Sequence, residues 1–142
     1  MTPKAPALVR RSASARKAWR DLWRLLDEGD RADDVYAPMV AMIAVELGLA
    51  DDASNAVYRP IDPATGKRGK RTLEEYLQGR NSQTAQELTL LRDSLKQAAK
   101  LVAEFGSSPL AEKKLGAKKP KQALSEMGEF IRAREERLNR GA

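Results

Sequence analysis

The segment at residues 62–72, DPATGKRGKRT, combines four cationic side chains with two glycines, a composition found in phosphate-binding loops. A P-loop requires G-x-x-x-x-G-K-[ST], because successive backbone N–H groups surround the phosphates and the hydroxyl holds Mg²⁺. Gly69 and Lys70 supply the Gly-Lys pair, but Ala64 stands at the first glycine position and Arg71 at the hydroxyl position. Nucleotide binding is therefore not predicted. Two interpretations stay open: a basic turn that contacts phosphate backbones, or a cluster of solvated charges.

The side chains that most enzymes use are missing from this sequence. It has no cysteine and no histidine, which excludes disulfides, Cys/His zinc sites, thiol nucleophiles and histidine acid–base catalysis. Carboxylates alone can hold Mg²⁺, but here the acidic residues are interspersed with basic ones. We therefore expect no catalytic activity, no metal and no cofactor.

The net charge of +6 and the isoelectric point near 9.7 make polyanions the natural partners. A merely soluble basic protein is the alternative, but the cations are clustered in three blocks. The first two blocks supply the DNA-binding candidates Arg10, Arg11, Arg16, Lys17, Arg20, Arg24, Lys67, Arg68, Lys70 and Arg71. A third block is held as a reserve site and comprises Lys113, Lys114, Lys118, Lys119 and Lys121.

The elements that position these residues form one domain at 142 residues. No apolar run of about 18 residues is present, so no membrane span is predicted, and the basic start lacks the apolar region of a secretory signal. We predict a flexible basic arm at 1–12 and a helical core domain at 13–116, with an irregular basic insertion at 50–71. A basic hinge and a C-terminal helix occupy 117–142.

Two amphipathic helices are predicted in the first third of the chain. One begins near Ala13, carries Trp19 and Trp23 on its apolar stripe, and ends at Gly29. Asp33 or Asp34 caps a second helix that runs to about Leu47, with Gly48 as its stop. The insertion follows, and Val57 with Tyr58 favours a small β-hairpin within it. Thr72 then caps a short helix.

The clearest predicted element is a long central helix. Thr84 and Glu87 have the spacing of a capping box at its start, and Gly106 is the expected terminator. Its apolar stripe packs against the tryptophan helix, against neighbouring subunits, or against both, and comprises Leu88, Leu91, Leu95, Ala98, Val102 and Phe105. The predicted fold class is thus an all-α bundle that forms an oligomer.

The C-terminal third is predicted to be less firmly packed. A corner, GSSP, leads into a short helix at 109–115, a loose match to a DNA-binding helix-turn-helix. This helix offers lysines rather than the forked side chains that read bases, so helix packing at a tight corner is favoured. The last helix has a thin stripe of Leu124, Met127, Ile131 and Leu138. We expect that helix to be mobile until a partner binds.

The order of these elements resembles the terminase small subunits of tailed bacteriophages, in the group named after phage P twenty-seven. The resemblance covers about residues 17–116 and is most specific at 81–116. The family's Asn-Pro pair is Asn81 and Ser82 here, and its Gly-Leu-Thr-Pro corner is Gly-Ser-Ser-Pro. Lys113 and Lys114 stand where arginine is usual.

The resemblance implies a non-enzymatic recognition subunit that acts in the cytoplasm of an infected bacterium. Such proteins assemble into homo-oligomeric rings, bind the packaging-initiation region of double-stranded viral DNA, and deliver it to a large ATPase–nuclease subunit. The terminal helix would dock on that subunit through Glu126, Glu129, Glu135 and Glu136. Two alternatives remain at this point: a helix-turn-helix transcriptional regulator, and a scaffold protein without DNA affinity.

Overall fold

The computed structural model describes residues 2–28, 32–106 and 118–139, and gives side-chain environments for 2–28, 32–104 and 127–138. In chain order, these residues form α1 (Ala7–Arg10), α2 (Ala13–Glu28), a 3₁₀ turn (Asp34–Tyr36), α3 (Ala37–Tyr58), α4 (Leu73–Leu77), α5 (Gln86–Gly106) and α6 (Lys118–Asn139). No strand occurs in the described ranges, and the prediction of an all-α fold is confirmed.

Helix α3 is the centre of the molecule, with α2 packed on one side and α5 on the other. Apolar residues surround most of its circumference, as expected for a helix with two large neighbours. Its fully buried side chains include Val40, Ile43, Ala44, Leu47 and Val57. The helices on either side of α3 thus share one core.

The predicted stripe of α5 lies in this core. Its members Leu88, Leu91, Leu95, Ala98 and Val102 are all buried, whereas the side chain of Phe105 lies outside the described residues. Helix α6 packs mainly against α5 and more lightly against α2, which completes a four-helix arrangement. On α6, Met127, Ile131 and Leu138 are buried, so three of the four residues of its predicted stripe contribute to packing.

The tryptophans of α2 are also core residues. Trp19 and Trp23 are 2% and 1% exposed, and their rings meet edge to face with centroids 5.5 Å apart. The Trp19 indole donates to the carbonyl of Pro3 at 3.1 Å. The N-terminal segment, predicted to be a flexible arm, therefore lies against α2 in this structure. Its helix α1 also buries Val9 completely, an apolar anchor that the charge-based interpretation overlooked.

The prediction that α3 stops at Gly48 is wrong, because the helix continues for ten further residues to Tyr58. Gly48 is buried where α2 crosses α3. A Cβ atom at this position would lie 2.7 Å from the backbone N of Ala15 and 2.8 Å from its Cα. The glycine is thus required for close approach of two helices rather than for a helix terminus.

The irregular insertion is correspondingly shorter than predicted. Val57 and Tyr58 form the last turn of α3, and the β-hairpin is reduced to one isolated bridge between Ile61 and Arg68. Gly66 has φ +68°, a left-handed conformation that glycine adopts readily, and allows the chain to reverse there. The segment between α3 and α4, residues 59–72, is therefore a loop with one antiparallel bridge rather than a pair of strands.

Of the predicted caps, Thr72 is confirmed, since its hydroxyl accepts from the N–H of Glu75 at 3.2 Å. The reciprocal pair that leads into α5 is shifted by three residues from the predicted one. Asn81 Oδ1 accepts from the N–H of Thr84 at 3.1 Å, and the Thr84 hydroxyl accepts from the N–H of Asn81 at 2.7 Å. Glu87 is thereby left for a different partner, Tyr76.

Candidate nucleic-acid interface

Helix α2 separates an apolar face from a cationic one. Arg16, Lys17, Arg20 and Arg24 are all exposed. At 3.6 residues per turn they fall within an arc of about 100°, whose centre lies about 140° around the helix from the centre of its buried face. We call these four residues the α2 arc. Its charges lie in a row along the helix axis, a geometry suited to successive phosphates of a polynucleotide.

The side chains of the α2 arc differ in how firmly they are held. Arg16 Nη1 donates to the carbonyl of Arg10 at 2.7 Å, which ties it to the end of α1. Arg24 forms an ion pair with Asp21 at 3.0 Å, one turn away on the same helix. Lys17 and Arg20 make no hydrogen bond with any described residue, so both are available to a ligand.

The basic turn after α3 does not form a phosphate cradle. Three of its backbone N–H groups are already bonded within the turn: Ala64 to the Asp62 carboxylate at 2.9 Å, Gly66 to the Asp62 carbonyl at 2.7 Å, and Gly69 to the Pro60 carbonyl at 2.8 Å. A P-loop needs such groups directed at the ligand. What the turn offers instead is side-chain charge.

Three of its four predicted contacts, Lys67, Arg68 and Lys70, are exposed. Arg68 also donates to the carbonyl of Arg59 at 3.0 Å. Arg59 is itself exposed and adds a further cation that the sequence analysis did not include. The turn therefore presents a small cationic surface at the end of α3.

Arg71, the fourth predicted contact in the turn, has a structural role in the molecule. Its Nε donates to the carbonyl of Val57 at 2.6 Å, and its Nη2 donates to that of Ala56 at 2.7 Å. Carbonyls in the last turn of a helix lack intrahelical partners, and cationic side chains satisfy them well. Arg71 thus caps the C-terminal end of α3.

Tyr76 is the second partner of Arg71, and sequence reasoning overlooked it. The guanidinium groups of Arg71 and Arg80 both contact its buried ring, at 5.1 Å and 4.3 Å from the ring centroid. The Tyr76 hydroxyl donates to Glu87 at 2.6 Å. This bond is the main reason that the pKa of Glu87 lies below its ordinary value, while burial raises the pKa of Tyr76. The cluster fixes the turn and α4 against the start of α5.

The fold brings the turn to the end of the bundle where α1 and α2 begin. Helices α2 and α3 run antiparallel, and the Ser14 hydroxyl donates to Asp52 at 2.5 Å near the start of α2. From Asp52, α3 continues for about 9 Å at 1.5 Å per residue before the turn begins. Arg10 and Arg11, exposed on α1 and just after it, lie at this same end, whereas Arg24 lies farther along α2.

Helix α6 adds cations beside the α2 arc that the sequence analysis did not select. A groove of about 540 Å³ lies between the two helices. Lys17 and Arg24 line it from α2, and Arg134 and Arg137 line it from α6. The signal in the sequence was the spacing of Phe130, Arg134 and Arg137, which places them on one face of a helix.

Asp51 of α3 lies behind this groove and forms an ion pair with Arg134. Burial raises the pKa of the Asp51 carboxyl, and the nearby charges of Arg134, Arg137 and Lys17 oppose that rise. One carboxylate from the central helix thus faces cations from α2 and α6, which links three helices at the groove.

Among the residues that the structure describes, no group of three or more Asp and Glu side chains is placed to hold a metal ion. No helix in the described ranges has the length and apolar character needed to cross a membrane. The predicted short helix at 109–115 and residues 113–117 of the reserve block lie outside the described residues, as do the side chains of Lys118, Lys119 and Lys121.

Comparison with known protein families gives one match, to the family described as "Phage terminase, small subunit", over residues 15–122. The chain belongs to this family. The matched segment runs from the start of α2 into α6, so it contains the α2 arc, the basic turn and the central helix. Membership indicates a role in phage DNA packaging. No match was found among curated proteins or among solved structures.

Proposed function

We propose that this terminase small subunit is a non-catalytic DNA-recognition protein. It binds the packaging-initiation region of double-stranded viral DNA in the cytoplasm of the infected bacterium and delivers the DNA to the large ATPase–nuclease subunit. The observation that carries this proposal is the α2 arc, four exposed cations opposite a buried apolar face. Family membership supports the packaging role.

The chemistry of the α2 arc favours the phosphate backbone over base edges. Cations in a row along one side of a helix neutralise phosphates and release the counterions of the DNA. Such binding depends strongly on salt concentration and weakly on base sequence. Lys67, Arg68 and Lys70 of the turn, with Arg10 and Arg11, extend the positive surface around the end of the bundle. Arg71 is excluded from this interface because its guanidinium is bonded to the end of α3.

The test is duplex binding as a function of salt with the α2 arc reversed to glutamate. Each lost phosphate contact lowers the slope of log affinity against log salt by about 0.9, so full reversal removes up to about four times that amount. A charge-matched control compares reversal of three residues of the α2 arc, Arg16, Lys17 and Arg20, with reversal of Arg92, Lys96 and Lys100, which are exposed on α5. Equal slopes in the two variants would show that net charge, rather than the α2 arc, governs binding.

We further propose that the subunit forms a homo-oligomeric ring. The α5 stripe, which was one candidate for subunit contact, is used inside the chain: Leu88, Leu91, Leu95 and Val102 are all buried. Ring contacts therefore need other surfaces, and α3 presents exposed Met42 and Leu49 two turns apart. Light scattering separates a ring from the dimer expected of a helix-turn-helix regulator.

Docking on the large subunit is assigned to α6. Glu129, Glu135 and Glu136 are exposed on this helix, while the side chain of Glu126 lies outside the described residues. Glu129 and Glu136, two turns apart, share the outward face of α6. Co-purification of the large subunit with a Glu129→Lys, Glu136→Lys variant tests the assignment, with loss of the complex as the expected result.

A further inference from the structure

We infer that the groove between α2 and α6 seats a phosphate group of the bound DNA, which makes α6 a part of the DNA interface. This inference rests on the proposed function. It adds Arg134 and Arg137 of α6 to a surface that the sequence analysis placed on the first two cationic blocks, with the lysines at 113–121 in reserve, and it gives α6 a role other than docking. Four observations carry it: the net charge of the groove, the burial of Arg134, the exposure of Arg137 and Lys17, and the position of the groove.

The cationic side chains at the groove outnumber the carboxylates there. Lys17 and Arg24 contribute from α2 and Arg134 and Arg137 from α6, whereas Asp21 is the one carboxylate among the described residues that line it. Asp51, behind the groove, adds a second negative charge through its pair with Arg134. Four cations thus face two carboxylates, and an anion in the groove would meet a net positive field.

Arg134 is a buried donor with an incomplete set of partners. The residue is 5% exposed, and one terminal nitrogen donates to Asp51. Its Nε is buried and has no hydrogen-bond partner among the described residues. A buried donor without a partner is unfavourable. Because Arg134 lines the groove, the charge of its guanidinium lies close to any anion placed there.

Arg137 and Lys17 stand at the groove, where their charges act on Asp51 without a direct hydrogen bond to it. Both are exposed, and neither forms a hydrogen bond or ion pair with a described residue. A guanidinium presents N–H donors in a fork that matches two oxygens of one phosphate, while an ammonium acts as a point charge. The two together suit a phosphodiester, whose unesterified oxygens share one negative charge.

The position of the groove decides between nucleic acid and an acidic peptide. Lys17 and Arg24 belong both to the α2 arc and to the groove wall, so the two surfaces are continuous. A DNA backbone that follows the arc passes over the groove mouth without changing direction. An acidic peptide would instead have to compete with DNA for these same two cations.

The test compares Arg137→Gln with Arg132→Gln in the full-length chain. Arg132 is an exposed cation on the same helix, about 140° around from Arg137 by helical periodicity, and does not line the groove. Duplex affinity is measured over a range of salt concentrations. We expect Arg137→Gln to lower the log–log slope by about 0.9 and Arg132→Gln to leave it unchanged. Arg137→Lys, which keeps the charge, should restore the slope.

The outcomes separate the inference from the function beneath it. If the unaltered protein does not bind duplex DNA at low salt, the proposed function falls and this inference falls with it. If the protein binds DNA but Arg137→Gln and Arg132→Gln have the same slope, the groove does not contact phosphate and the inference alone is overturned. A polyglutamate peptide is the probe for the alternative ligand. If Arg137→Gln loses binding of this peptide but keeps the DNA slope of the unaltered protein, the inference is likewise overturned.

Discussion

Replacement of Gly48 by alanine is expected to destabilise the protein, although the same change normally stabilises a helix. Alanine in place of glycine in a helix interior gains about 0.5–1 kcal/mol. At Gly48 the added Cβ would lie 2.7 Å from the backbone N of Ala15, where ordinary contacts are 3.4–4 Å. Helix α2 must therefore move away from α3 by a substantial fraction of an ångström.

The size of the destabilisation depends on which atoms the added Cβ would contact. Overpacking of a core costs about 1–3 kcal/mol, and the cost falls toward the upper part of that range when no side-chain rotation can relieve it. Here the nearest atoms are backbone N and Cα of Ala15, which move only with the whole of α2. After the gain in helix propensity is subtracted, we expect a net loss of about 1–2 kcal/mol.

A matched control exists in the same chain. Gly128 lies within α6, and a Cβ built there meets no atom of the described residues within 4 Å. Gly128→Ala should therefore stabilise by about 0.5–1 kcal/mol. Urea denaturation followed by far-UV circular dichroism measures both variants, and unchanged m values would confirm that stability alone has changed. If Gly48→Ala is as stable as Gly128→Ala, the close approach of α2 and α3 is not as described.

Two further predictions concern the cluster around the turn. Tyr76→Phe should lower the free energy of unfolding by about 1 kcal/mol at neutral pH, because the hydrogen bond to Glu87 is lost. The folded-state pKa of Glu87 is lowered by this bond, so its contribution to stability is present above pH 4.5 and is lost as the pH falls through the folded pKa. Urea denaturation at neutral and acidic pH checks this, and a gap between the two proteins that stays constant would contradict it. Arg71→Gln should cost about 1–2 kcal/mol because it uncaps α3 at Val57, whereas Lys70→Gln should weaken DNA binding without changing the unfolding midpoint. If Arg71→Gln instead weakens DNA binding and Lys70→Gln lowers stability, Arg71 is the DNA contact.

The sequence was sufficient to predict the helices that have one apolar face. The stripe of α5 and the tryptophans of α2 recur at three- and four-residue spacing, and each such stripe is buried. The cationic face of α2 was predictable for the same reason, because the helical periodicity that identifies the buried residues also identifies the exposed ones. The exposure of these cations was therefore predictable from the pattern of a single helix, while their contact with DNA stays a prediction.

Local sequence patterns did not predict the features that depend on contacts between distant helices. Gly48 has the usual appearance of a helix terminator, yet it permits α2 to approach, and no local signal distinguishes the two roles. Arg71 is indistinguishable from Lys70 in a basic run, but lies within reach of the free carbonyls of α3. The contribution of Arg134 and Arg137 depends on α6 folding back beside α2, which no pattern within α6 reveals.

These long-range contacts also explain why one part of the proposed DNA-binding surface depends on the core. The α2 arc is carried by one helix and keeps its shape wherever that helix lies. The groove, in contrast, exists only while α2 and α6 stand at a fixed separation, and that separation is set by α3 through Asp51 and Gly48, one turn apart. A displacement of α2 would therefore separate Lys17 from Arg137 while leaving the arc intact, so core packing controls one part of the proposed interface and not the other.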